Sequence, residues 1–445
     1  MLASLLVATT LLAAEPGDAL KALELPFTRY TLPNGLTVIL SPSHTVPTVA
    51  VEVWYKVGAA QEEQGRSGFA HLFEHMMFQG SAHVGDDRHF ALLEAAGASD
   101  LNGSTNYDRT NYYEVVPAHQ LELALWLESD RMGWLTISQQ KLDNQRAVVQ
   151  EERRQQIENR PYGASSEQLI QSVYAPTHPY YGMVIGSMKD LNAATLEDVQ
   201  SFYDRYYAPR NAVLVVVGDI EIESTKALIQ KYFGTLPDRA VGPSRVVPDP
   251  RIPAEKRVDV TENVQLPRVH MAWVSPKPFA KDDYICDILA SVLGEGRQSR
   301  LHKRLVHDLQ IAQSATADQS SHSLGSVFTI MATARPGVSA AKLEAEMQKV
   351  LDELVGDKPP TERELTAAKN SIITDHMAEL QTVGARADTL AFFTHYTGNP
   401  GYVREWIGTY QTITSADVQR VAKELLVKDH RVILTTVPLP QVGQN

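Results

Sequence analysis

The chain has a single cysteine, Cys286, in 445 residues. An intrachain disulfide framework is thereby excluded, and so is a zinc ribbon built on thiolates. Any metal site must draw on the 14 histidines and 53 acidic residues. Basic runs are absent as well, and the formal charge of -12 argues against nucleic acid as the main partner. No stable membrane span is expected, because the apolar run at the N-terminus, Met1 to Ala14, falls short of the roughly 20 residues a spanning helix needs. That run ends in small residues before Glu15-Pro16, so residues 1–25 read as a secretory signal and leader, although the usual positive charge at its start is missing. A periplasmic or secreted location follows, with the cytoplasm as the alternative.

A chain of this length exceeds one ordinary core, so two or more domains are expected. An internal repeat says how they are related. Thr195-Leu196-Glu197-Asp198-Val199-Gln200 is echoed by Thr414-Ser415-Ala416-Asp417-Val418-Gln419, and fourteen residues separate Val199 from the strand at Val213 and Val418 from the strand at Val432. Two copies of a capped helix feeding a strand indicate duplicated domains of roughly 200 residues. Pro243, Pro248 and Pro250 mark residues 237–256 as a linker. The expected division is residues 26–236, the linker, and residues 257–445. Alternation over Thr28–Leu40, around an Asn34-Gly35 turn, and over Thr48–Val57 reads as strand, as do Asn102–Thr105 and Thr110–Val116. Helical patterns cover Ala118 to Met132, a stretch from Ser138 toward Pro161, and Tyr284–Leu293, Ala341–Leu354 and Glu362–Leu380. The fold class is therefore α+β, with two homologous domains that each pack helices on a mainly antiparallel sheet.

Chemistry concentrates in His71-Leu72-Phe73-Glu74-His75. On a helix, residues four and three apart leave one face, so His71, Glu74 and His75 project together. Two imidazoles one turn apart can ligate a zinc ion, with the carboxylate between them in reach of a water activated there. Phe69, Leu72, Phe73 and Met76 suit burial and would hold that helix rigidly. A third ligand is expected in the helix from Ser138. Both Glu151 and Glu152 fit, since each follows an apolar residue by three or four positions, and periodicity does not choose between them.

His71-Leu72-Phe73-Glu74-His75, followed by a helix with Arg146-Ala147-Val148-Val149-Gln150-Glu151-Glu152, resembles the pitrilysin family of inverted-motif zinc metallopeptidases, which includes insulysin and the mitochondrial processing peptidases. The resemblance covers nearly the whole chain after the leader. It implies His71, His75 and Glu152 as zinc ligands, Glu152 lying 77 residues past His75, and Glu74 as the base of peptide-bond hydrolysis. It also implies two domains forming half of a clamshell chamber that admits short or unfolded peptides. Asn102 and Gly103 match the edge strand on which a substrate adds. Arg304 matches a substrate-contacting arginine, but Ile311 stands where the family has a tyrosine, and Gln145 where it has a supporting acid. An offset of 219 residues puts His71 at Ala290 and His75 at Gly294, so the second half has no ligand set. The pattern is similar to the zinc-bearing subunit of two-chain members, which implies a zinc-less homologous partner, or a homodimer. The alternative function is a non-catalytic peptide-binding or assembly subunit with the same fold.

Overall fold

The computed structural model describes residues 25–242 and 245–440; the run read as a signal, Met1 to Ala14, lies outside them. The first sheet holds β1 (Thr28–Thr31), β2 (Thr37–Pro42), β3 (Thr48–Tyr55), β4 (Ser99–Thr105), β5 (Thr110–Pro117) and β6 (Ala212–Gly218). Its spatial order is β1-β2-β6-β3-β5-β4. The second holds β7 (Lys256–Glu262), β8 (Arg268–Ser275), β9 (Ala312–Ser320), β10 (Ser326–Ala334) and β11 (Val432–Pro438), in the order β7-β11-β8-β10-β9.

Setting β1 aside, the two orders are the same. Each sheet has one parallel pair, β2 with β6 and β7 with β11, and the remaining pairs are antiparallel. The duplicated helices also match in detail. Thr195 caps Leu196–Tyr206 with a reciprocal bond from Asp198, and Thr414 caps Ser415–Leu425 with one from Asp417. These reciprocal bonds satisfy backbone donors that a helix start otherwise leaves open. The molecule is thus two homologous α+β halves, as the repeat implied.

Each half lends a helix to the other. Gly163–Val173 belongs to the first half, yet its Leu169 and Val173 pack with Ala272, Val432 and Leu434 of the second sheet. Val383–Thr397 belongs to the second half, and its Val383, Ala387, Leu390 and Ala391 cover Ala50, Trp54, Val213, Val215 and Val217 of the first sheet. The same 219-residue offset carries Gly163 to Thr382, the residue that caps the second of these helices. On its other face the first sheet carries the core that includes Phe69, Leu72, Phe73, Leu142 and Val149.

One helix runs as read, and the inward face assigned to it needs correction. The helix before Pro161 is Gln139–Arg153, capped by Ser138, and it passes into a wider π turn, Arg154–Glu158. Val148 and Val149 are the apolar residues three or four positions before Glu151 and Glu152, and Val148 does not share the inward face of Val149. It is 47% exposed while Val149 is fully buried, because 100° per residue carries Val148 beyond the rim of the stripe that Leu142, Val149 and Arg153 bury. Glu152 sits on the flank between them.

Candidate metal centre

The histidine helix, Phe69–Met76, starts from Gly68 in the left-handed region, φ 88°. Its open backbone donors are met by a carboxylate from the preceding loop. Glu62 accepts from the Gly68 N–H at 3.1 Å and from the Ala70 N–H at 2.8 Å, one on each oxygen. Ser67 is tied to Asp190 through its N–H and its hydroxyl, at 3.1 and 2.6 Å. The apolar side of the helix is aromatic, with the Phe73 ring 4.3 Å from that of Tyr207 and 5.9 Å from that of Tyr203. Burial of this kind fixes the helix azimuth.

The other side presents His71 and His75, their rings 4.8 Å apart and nearly perpendicular. Opposite stands the glutamate helix, Gln139–Arg153. The Nε2 atoms of His71 and His75 lie 3.5 and 3.4 Å from the same oxygen, Oε2 of Glu152. Gln156 donates to the other oxygen, Oε1, at 2.7 Å. Glu151 points away, paired with Arg154 at 2.9 Å, so the geometry separates the two glutamates that periodicity left level. The histidine helix and the glutamate helix are braced against each other: Arg153 donates to the Gly186 carbonyl at 2.6 Å, and a Cβ on Gly186 would sit 2.4 Å from the Gly68 Cα.

These three residues pass a test for a metal. Ligands about 2.0–2.2 Å from a tetrahedral zinc are separated by about 3.4 Å, which is the spacing of both imidazole nitrogens from the carboxylate. Burial, with His75 as the second cause, drives the His71 ring down to about 4, so at neutral pH it is uncharged and holds a lone pair for an ion. The contact to Glu152 is then not a salt bridge of an imidazolium. The neighbouring His75 leads in holding the Glu152 carboxyl below its ordinary range, against the opposing effect of burial. Among the described residues, this is the one group of three or more such side chains whose ligand atoms converge.

Glu74 is 8% exposed, and burial pushes its carboxyl above the usual range, against an opposing bond from Thr105. The Thr105 hydroxyl donates to Glu74 Oε2 at 2.6 Å. Gly103, two residues earlier on β4, is buried beneath the same side chain; a Cβ there would meet Glu74 Cγ at 3.2 Å. Asn102 is exposed and its Oδ1 accepts from the Gly103 N–H at 2.9 Å.

Arg304 is not brought to this group. It lies in the π turn His302–Asp308 and pairs with Glu346 at 2.8 Å. Ile311 is buried in the second core. Sequence reasoning missed Glu62, Thr105 and Gln156. For Thr105 the signal was present, since strand alternation puts it on the face of Gly103.

Family models for insulinase (peptidase family M16) and for the peptidase M16 inactive domain match residues 37–178 and 193–372. The zinc protease PqqE of Helicobacter pylori is 30% identical over 407 residues, which are 88% of this chain and 89% of that protein. The chain belongs to peptidase family M16. Its M16 fold is shared with a crystallised protease from Helicobacter pylori, at a TM-score of 0.87 and 27% identity over 93% of this chain and 100% of that one. The periplasmic protease PqqL of Escherichia coli superposes at a TM-score of 0.77 and 20% identity, over 93% of this chain and 48% of that one. Within the M16 matches, the insulinase segment contains His71, Glu74, His75 and Glu152, and the inactive-domain segment contains none of them.

Proposed function

We propose that the chain is a zinc metalloendopeptidase, with His71, His75 and Glu152 as the metal ligands and Glu74 as the general base. The reading rests on one observation above all: both Nε2 atoms face a single carboxylate oxygen at 3.4–3.5 Å. Bound there, zinc would supply Lewis acidity and lower the pKa of a water molecule. Glu74 takes a proton from the attacking water and passes it to the leaving amine. Burial raises its proton affinity, the direction that favours a base which must also act as an acid. With Oε2 held by Thr105, Oε1 is the oxygen that carries the proton.

The substrate adds to β4, the outermost strand of its sheet, through main-chain hydrogen bonds at Asn102 and Gly103. Short or unfolded peptides meet that requirement. Arg304 would have to leave Glu346 to join them. A partner completes the site, a zinc-less homologous chain before a second copy, since Ile311 is core and cannot donate a hydrogen bond to a developing oxyanion. Residues 26–236 form the catalytic domain and 257–445 the wall, joined by 237–256, together half of a clamshell. Export to the periplasm accords with the N-terminal run and with the chain's likeness to PqqL, the periplasmic protease of Escherichia coli.

Glu74→Gln is the test. Zinc content should stay at one per chain while cleavage of a quenched peptide falls to the chelator-treated level. An active Glu74→Gln protein would refute the assigned base, and a zinc-free wild type with full activity would refute the whole reading.

A further inference from the structure

We infer that Thr105 is the positioning residue of Glu74, so that one strand sets both the register of a bound peptide and the orientation of the base. The inference rests on the peptidase reading above. Period-two alternation turns Gly103 and Thr105 toward the histidine helix. Gly103 has no side chain, which lets Glu74 lie against the strand, with only 3.2 Å between a Cβ at Gly103 and Glu74 Cγ. Thr105 then reaches Glu74 Oε2 at 2.6 Å, a charge-assisted length.

The direction of that bond follows from the neighbouring hydroxyl and the distances. Thr105 faces Thr110 across the β4–β5 pair, with 3.3 Å between the hydroxyls. Thr110 donates to the Val57 carbonyl at 2.9 Å, so it has no proton for Thr105, and of the two oxygens within reach of the Thr105 proton the Glu74 oxygen is the nearer, at 2.6 Å against 3.3 Å. The backbone edge of β4 that a peptide would pair with does not pass through this hydroxyl. Removing the hydroxyl should therefore leave peptide binding intact and misdirect the base.

The experiment compares Thr105→Val, which keeps the shape, with Thr105→Ser, which keeps the hydroxyl. In the zinc-loaded full chain with any co-purifying partner, Thr105→Val should lower kcat by roughly 10- to 100-fold, the scale of a base displaced by under about 1 Å. KM should stay within about twofold, because the edge of β4 is unchanged. Thr105→Ser should recover kcat to within about threefold, and zinc content should be equal in all three proteins. A Thr105→Val protein with wild-type kcat overturns the inference, as does equal impairment of both variants. Loss of wild-type activity itself would strike the peptidase reading instead. The positioning claim is still decided by crystals of zinc-loaded Thr105→Val, where a Glu74 carboxyl in its wild-type place would overturn it.

Discussion

Replacing Glu62 by alanine should loosen the histidine helix selectively. Glu62 is buried, and its two oxygens take the N–H groups of Gly68 and Ala70 at 3.1 and 2.8 Å. Alanine strips both acceptors in a place where no solvent replaces them freely. A buried donor left unsatisfied costs about 1–3 kcal/mol, so two cost about 2–6 kcal/mol, above the usual price of a lost cap. At about 1.4 kcal/mol per decade, local opening of the helix becomes roughly 30-fold to 20,000-fold more frequent. Glutamine keeps one accepting oxygen and should cost about half as much. Native-state hydrogen exchange on the amides of residues 70–76 reads this directly, because the tied loop and the rest of the sheet need not open with it. Unchanged protection of these amides in Glu62→Ala would refute the capping argument. So would a uniform loss throughout the chain, which would mean that Glu62 supports global stability and not this helix.

Val149→Ala removes two buried methyl groups beneath Glu152 and should cost about 2–3 kcal/mol in urea unfolding, whereas exposed Val148→Ala should stay within about 0.5 kcal/mol. Equal effects would contradict the assignment of the inward face. Burial, with Asp388 as the second cause, pushes the Glu52 carboxyl up from an ordinary 4.5 to about 8. The folded chain therefore holds a proton that the unfolded chain has released, and the stabilisation is full below about pH 4.5 and is lost as pH rises to about 8. Glu52→Gln should flatten that decline in unfolding midpoints taken between pH 5 and 8; an unaltered slope would exclude Glu52 as its source.

Much of this was legible because the signals are local. The His-x-x-Glu-His spacing, the threonine caps and the alternating strands depend on neighbours within four residues, and each appears in the structure at the expected place. The duplication was legible for the same reason, since Thr195 and Thr414 carry the same short capping pattern. What depends on distant partners was not. The choice between Glu151 and Glu152 turns on which side of Gln139–Arg153 faces another helix, and the run of two valines blurred that by placing one apolar residue beyond the rim. Arg304 could be matched by position, but its ion pair comes from Glu346, 42 residues away. Glu62 reads as one charge in a polar loop until the Gly68 turn folds the helix start over it.

The exchanged helices bear on how the chain is made. Val213, Val215 and Val217 lie beneath Val383–Thr397, which the ribosome delivers some 170 residues later. Until then the first half is finished in outline but has an oily back, a natural client for chaperones. The second sheet waits longer still: β11, the last of the described strands, sits between β7 and β8 and not at a margin. Both halves thus mature together only once β11 has been made, and a product terminated before it has no stable resting form.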